Sequence, residues 1–241
     1  RAHPRVLPVL RRHLDGVTLA NNHSGDYGRA AFAQMLGLLK AAGLAQAGGG
    51  MNLAEAHAPW IVERNGLRIA LLSYNEFMPR SFEAGHDAPG MAWSEDEQVV
   101  DDIRKARSVH RADLVLTFMH WGWENERTAN ARQRQLARTM IDAGADAVIG
   151  GHPHVTQDIE HYRGRPIVYS VGNFVMKETD NEAQRQAWVL RMVLDRQGAL
   201  SFETHAVRID MDGVPHPDPA TASPCWQRGD TQLGSCLAGR R

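Results

Sequence analysis

The chain has 241 residues, 43% of them hydrophobic and 23% charged, with a formal net charge of -1. That length supports one large domain or two small ones. The near-neutral balance gives no electrostatic case for nucleic acid as a partner, and no apolar run approaches the roughly 18 residues that cross a bilayer as a helix.

In chain order, "DGVTLA" (15–20) predicts a short buried strand that ends at "NNH". Residues 28–43 have apolar positions recurring at three and four, and Gly43 marks a helix stop. "AGGGMN" reads as a plain loop. Residues 59–74 predict a hairpin around Asn65-Gly66, a strong turn pair. Residues 78–93 are too rich in Pro and Gly for regular structure. Residues 94–109 predict a helix, with Ser94 as N-cap, acids in the first turn and basic residues in the last. Residues 112–119 predict a buried strand ending at "HWGWEN", and 130–144 a helix with a glycine stop. Residues 145–150 predict a strand ending at "GHPH", and 165–172 a strand ending at "NF". Residues 187–210 predict a second hairpin, and the Pro-rich stretch from Gly213 predicts an irregular tail. Helices and strands alternate first and hairpins follow, which predicts an α/β domain with mixed sheets.

Four strands hand over directly to His- and Asn-bearing clusters. Chemistry in open α/β sheets collects beyond the carboxyl ends of strands. His120, His152 and His154 each sit at such an end beside glycine, and Asn22 adds an amide oxygen followed by His23. Neutral imidazole is the commonest protein metal ligand, and this N/O set suits a divalent Zn, Mn, Fe or Co ion. The chain has no thiolate cluster of the structural-zinc kind. Blander roles compete at several positions. Asp26 is equally a helix-start acid, Glu124 a solvated loop acid and Asn173 a turn closer. Trp121 and Trp123 read as packing. Eight further histidines, His3, His13, His57, His86, His110, His161, His205 and His216, read as structural.

"LANNHSGDYG", "GGGMNLAEAHAPWIVERNGLRIALLSY", "HWGWEN", "GADAVIGGHPHV" and "VYSVGNF" together resemble the signature blocks of the CapA-type poly-γ-glutamate capsule synthesis proteins, which are related to the calcineurin-like metallophosphoesterases. The resemblance runs from about Val17 to Phe174 in block order and spacing. It implies a four-layer α/β/β/α sandwich with mixed sheets and a metal centre at the strand ends. It implies metal ligation by Asn22, His120, His152 and His154, and a catalytic role for His23 as acid or electrostatic stabiliser. Asp26, Glu124 and Asn173 are carried over as site-shaping residues. A Gly-Asp strand and a second carboxylate block open such proteins, and neither stands here. The expectation is therefore an N-terminally incomplete chain, processed or a fragment, with up to two metals in the complete protein. The activity implied is metal-dependent hydrolysis of a phosphoester in capsule polymer biosynthesis. A non-catalytic accessory role beside capsule synthase subunits and a γ-glutamyl amide hydrolase are the alternatives. The substrate or partner is then an anionic polymer or phosphoester, met in the periplasm or outside the cell. The domain is expected over residues 1–212 and the tail over 213–241. Cys225 and Cys236, confined to that tail, form either a local disulfide suited to an oxidising compartment or two free thiols.

Overall fold

The computed structural model describes residues 3–176 and 179–237. The chain divides into two compact units, residues 1–120 and residues 121–241.

In the first unit a 3-10 turn, Pro4–Val6, leads into helix α1 (Leu7–His13). Pro near its start and Arg11, Arg12 and His13 in its last turn favour this helix at both ends. Strand β1 (Gly16–Thr18), helix α2 (Gly28–Ala41) and strand β2 (Ala45–Ala47) follow, with β1 and β2 parallel. Helix α2 buries Phe32 and Leu39 in a cluster with Leu19, Leu44, Met91 and Trp93. The "AGGGMN" stretch is more than a loop. It contains strand β3 (Gly49–Gly50) and leads into helix α3 (Leu53–Ala56). A Cβ on Gly50 would collide with the α3 backbone at Ala56, so close packing explains this glycine.

The predicted first hairpin forms as β4 (Trp60–Arg64) and β5 (Leu67–Asn75). Asn65 and Gly66 both take positive φ, 51° and 72°, as a tight hairpin turn requires. Strand β6 (Gly90–Met91) pairs antiparallel with β3 inside the stretch expected to be irregular. Helix α4 (Asp96–Ser108) then crosses to β7 (Leu114–His120), which runs parallel to β5 with Asn75 opposite His120. Ser94 is not the cap of α4. The cap position is Glu95, and the Ser94 hydroxyl is buried without a hydrogen-bond partner among the described residues.

In the second unit, helix α5 (Ala131–Ala143) opens on a capping box in which Asn130 and Gln133 exchange bonds of 2.9 and 3.0 Å. It closes on Gly144 at φ 118°. Strand β8 (Ala147–Gly151) follows, then β9 (Ile159–Tyr162) and β10 (Arg165–Val168). The central strand β10 runs parallel to β8 and antiparallel to β9. The second hairpin comprises β11 (Gln186–Asp195) and β12 (Gly198–Ile209).

The tail is not irregular. Strands β13 (Pro215–Pro217) and β14 (Ser223–Gln227) each pair with β12, and β15 (Gly234–Cys236) pairs with β14. Proline hid these strands from a sequence reading. It lacks the N–H of an interior ladder, which the short edge strand β13 tolerates, while β14, between β12 and β15, carries only Pro224. Residues 238–241 of the expected tail lie outside the described residues. Cys225 and Cys236 are joined by a disulfide with Cα atoms 5.8 Å apart.

Phe202 and Trp226 bury one face of this second sheet, and His161 of β9 stacks on both, with ring centroids 5.9 and 4.5 Å away. Burial pushes the His161 imidazole below its ordinary range, and Asp230 opposes this only in part. The unfolded chain therefore takes up this proton first as pH falls below about 6.5. The stability held by neutral His161 is complete above that value and is lost as pH falls through the lower folded value. The unfolding midpoint should fall on acidification from about pH 7 to about pH 5, and the fall should shrink in His161→Phe. An unchanged slope in the variant would contradict this assignment.

The disulfide closes a loop with a sequence separation of 11, so its loss should cost on the order of 2–3 kcal/mol. Mass measurement of protein from an oxidising compartment, under non-reducing conditions, should find no free thiol. Two free thiols would contradict the pairing.

Candidate metal centre

In the first unit, β1 delivers the chain to a turn at residues 21–27. Asn21 Oδ1 accepts from the backbone N–H of His23 at 2.9 Å, and the Ser24 hydroxyl donates back to the Leu19 carbonyl. These local bonds fold the turn by the short polar side chains that favour such geometry. Asn22 is thereby set against the end of β7. Its Oδ1 lies 2.8 Å from Nε2 of His120. His23 is largely exposed, and its Nδ1 is 3.0 Å from Oδ2 of Asp26. Helix α2 takes Tyr27 as its cap position, with no side-chain cap bond. Asp26 therefore serves His23 and not the helix start.

In the second unit, β8 runs out at Gly151 into His152, Pro153 and His154. Both histidines take positive φ, 98° and 61°, a region that residues other than glycine rarely occupy. His152 is buried, and the two imidazole centroids are 5.9 Å apart. His154 Nδ1 lies 2.7 Å from Asn173 Oδ1. The Asn173 amide N–H in turn donates to the Gln184 carbonyl at 3.0 Å, which fixes the orientation of the carboxamide. The oxygen of Asn173 therefore faces His154, so Nδ1 carries the proton and Nε2 keeps its lone pair. Holding one ring nitrogen by an outer partner is how ligating histidines are oriented.

The loop after β7 is tied to the same place. Asn125 donates its backbone N–H to the Pro153 carbonyl at 2.8 Å, and its side-chain oxygen accepts from Asn181 and Gln184, each at 2.9 Å. A sequence reading had no signal for Asn125, Asn181 or Gln184, because the side-chain bonds from Asn181 and Gln184 to Asn125 span 56 and 59 residues. Trp121 is fully buried and donates its indole N–H to the Tyr169 carbonyl at 2.9 Å, as packing requires. Trp123 departs from the packing role expected of it and is 64% exposed. Glu124 is exposed on the same loop.

Thus one unit gathers Asn22 with His120 and sets His23 on Asp26, and the other gathers His152, His154 and Asn173. The donor chemistry of both sets is imidazole nitrogen and amide oxygen, which fits a borderline divalent ion. Asn22 Oδ1 accepts from His120 Nε2 at 2.8 Å, close enough for both atoms to serve one ion once Nε2 gives up that proton. Among the described residues no group of three or more His, Cys, Asp or Glu side chains gathers to hold a metal.

The model of the family described as "Bacterial capsule synthesis protein PGA_cap" matches residues 1–178, which include every one of these site residues. The chain belongs to the PGA_cap family. Membership associates it with bacterial capsule synthesis. It is 36% identical over 199 residues to the PGA biosynthesis protein CapA of Bacillus subtilis, covering 82% of this chain and 51% of that protein. It is 35% identical over 164 residues to the capsule biosynthesis protein CapA of Bacillus anthracis, covering 67% of this chain and 40% of that one. A probable polyglutamine synthesis accessory protein of Mycobacterium tuberculosis is 31% identical over 187 residues, covering 73% and 49% of the two chains. The chain therefore spans about half the length of these PGA_cap relatives or less. Among solved structures, the sulfate thiohydrolase SoxB of Thermus thermophilus matches with a TM-score of 0.55 at 14% identity, covering 84% of this chain and 34% of that one. This likeness concerns the fold alone, a mixed α/β fold.

The glycine before the motif is set by sterics. A Cβ on Gly150 would collide with the Tyr169 carbonyl oxygen and with the Trp121 indole nitrogen that it accepts from. Gly150→Ala should therefore destabilise the protein by roughly 3 kcal/mol, read as a lowered denaturation midpoint. A loss below about 0.5 kcal/mol would show that β8 and β10 do not approach as described.

Proposed function

We propose that this chain forms the metal-binding part of a phosphoesterase-type hydrolase in capsule polymer biosynthesis. Asn22 and His120 in the first unit, and His152 and His154 in the second, are the residues that would ligate divalent metal, Mn, Fe, Zn or Co. The observation that carries this reading is the pairing of imidazole with carboxamide at strand ends, in residues that fall within the matched family region. A bound divalent ion supplies Lewis acidity and lowers the pKa of bound water.

The chain's own residues do the rest. Asn173 holds His154 in one tautomer, so that Nε2 keeps its lone pair. His23 stands exposed, oriented by Asp26, where it can hold a proton for a departing oxygen or stabilise developing negative charge. Asp26 positions His23 and contacts no substrate. The substrate we infer is a phosphoester or an anionic polymer such as poly-γ-glutamate. We infer a periplasmic or extracellular setting, because the Cys225–Cys236 disulfide suits an oxidising compartment. Among the described residues no helix is long and apolar enough to cross a membrane.

A second reading is that the chain is a non-catalytic accessory subunit of a capsule polymer synthase. It is favoured by the accessory-protein name of the mycobacterial relative and by the absence of a gathered carboxylate set among the described residues.

Metal content and turnover separate the readings. His120→Ala, His152→Ala and His154→Ala should each lower bound metal. His23→Ala should keep the metal and lower turnover of bis(4-nitrophenyl) phosphate by about 10²-fold. Full metal content in all three ligand variants would refute the centre. Metal retained without turnover of this probe or of γ-glutamyl-4-nitroanilide would favour the accessory role. Turnover of the anilide alone would make the enzyme an amide hydrolase.

A further inference from the structure

The first unit contains a second polar centre that the metal reading does not use. His57, the residue that ends α3, is buried, and its Nδ1 lies 2.6 Å from Oδ2 of the equally buried Asp102 on α4. The same oxygen accepts from the Tyr74 hydroxyl at 3.1 Å, and Oδ1 accepts from Gln98 Nε2 at 2.7 Å. Burial, reinforced by Asp102, pushes the Tyr74 hydroxyl well up, so it remains a donor. The Asp102 carboxyl group thus faces three potential donors. His57 Nδ1 must carry a proton to be one of them, and in neutral imidazole Nε2 is then an acceptor. That Nε2 is buried and has no hydrogen-bond partner among the described residues. Buried acceptors are rarely left without a donor.

His57 and Asp102 both line a cleft of about 650 Å³ between α3 and α4. Leu53, Ala54, Ala58 and Pro59 give it apolar walls. Its charges are unequal. Asp87 and Asp102 line it, and Asp101 pairs with the lining Lys105 at 2.6 Å. Two carboxylates thus line it against one lysine that Asp101 already pairs, beside His110 and His86, the latter 2.8 Å from Asp87, and this surplus of carboxylates favours a cation over an anion. An oriented Asp–His pair whose buried acceptor nitrogen has no donor among the described residues suits a ligand that brings its own donor.

We propose that this cleft is a binding site for a small molecule carrying a primary ammonium group on an apolar body, whose N–H donates to Nε2 of His57. The proposal does not depend on the metal centre. The test uses benzylamine as probe and benzoate, of similar size and opposite charge, as control. Both are titrated into the whole protein at neutral pH and followed by calorimetry and by the imidazole ¹⁵N resonances of His57. Benzylamine should bind saturably and shift the Nε2 resonance. His57→Asn keeps a donor near the Nδ1 position for Asp102 and removes Nε2, so it should weaken benzylamine by about tenfold or more. Absence of saturable benzylamine binding would overturn the proposal. So would benzoate binding as tightly, or an unmoved Nε2 resonance in the unaltered protein, a readout that does not depend on how the variant folds.

Discussion

A neutral imidazole has one donor nitrogen and one acceptor nitrogen, and which is which depends on what holds the ring. At the strand ends of this protein a carboxamide meets the ring. Asn22 lies 2.8 Å from His120, and Asn173 lies 2.7 Å from His154. The second contact is itself fixed, because Asn173 donates to the Gln184 carbonyl. Fixing the amide fixes the tautomer, and fixing the tautomer leaves Nε2 of His154 with its lone pair. The chemistry proposed for the chain depends on that small constraint. Carboxamides suit the task because, unlike carboxylates, they orient a ring without adding charge.

The backbone is shaped around the same constraint. Two non-glycine positive φ values, at His152 and His154 on either side of Pro153, cost energy that the surroundings must offset. The offset is visible in the bonds that grip the turn from outside. Asn125 holds the Pro153 carbonyl, Trp121 holds the Tyr169 carbonyl, and Gln184 donates its side-chain amide to Asn125 while its backbone carbonyl accepts from Asn173. In the first unit the turn after β1 is built more cheaply, from Asn21 and Ser24 bonding within five residues. Strain thus sits where the histidines are presented, and ordinary turn chemistry suffices for Asn22 and His23.

The order of strands and helices was readable because hydrophobic period and punctuation agree over most of the chain. The hairpin at Asn65-Gly66, the glycine stop of α5 and the GHPH turn after β8 each rest on local chemistry. The candidate ligands stand out in the sequence for the same reason, since each lies at or soon after a strand end. What escaped is long-range or runs against local composition. Pro215, Pro217 and Pro224 argued against strands that form at or near a sheet edge. Ser94 has the chemistry of a helix cap but lies buried one residue early. His57 looked like a lone structural histidine because its partner, Asp102, is 45 residues away on another helix. Trp123 carries a residue type that normally packs, yet it is exposed on the loop that also carries Glu124. Asp26 was balanced between two roles by sequence, and a single 3.0 Å contact to His23 favours one of them.

The most direct test of the central claim is paramagnetic broadening of the imidazole resonances during titration with Mn²⁺. The chain has 12 histidines, so one spectrum compares ligands with bystanders. The account predicts that His120, His152 and His154 broaden first, at substoichiometric metal, while stacked His161 and exposed His216 stay sharp. Broadening that begins at exposed histidines such as His86 and His216, with His120 and His154 unaffected, would contradict it.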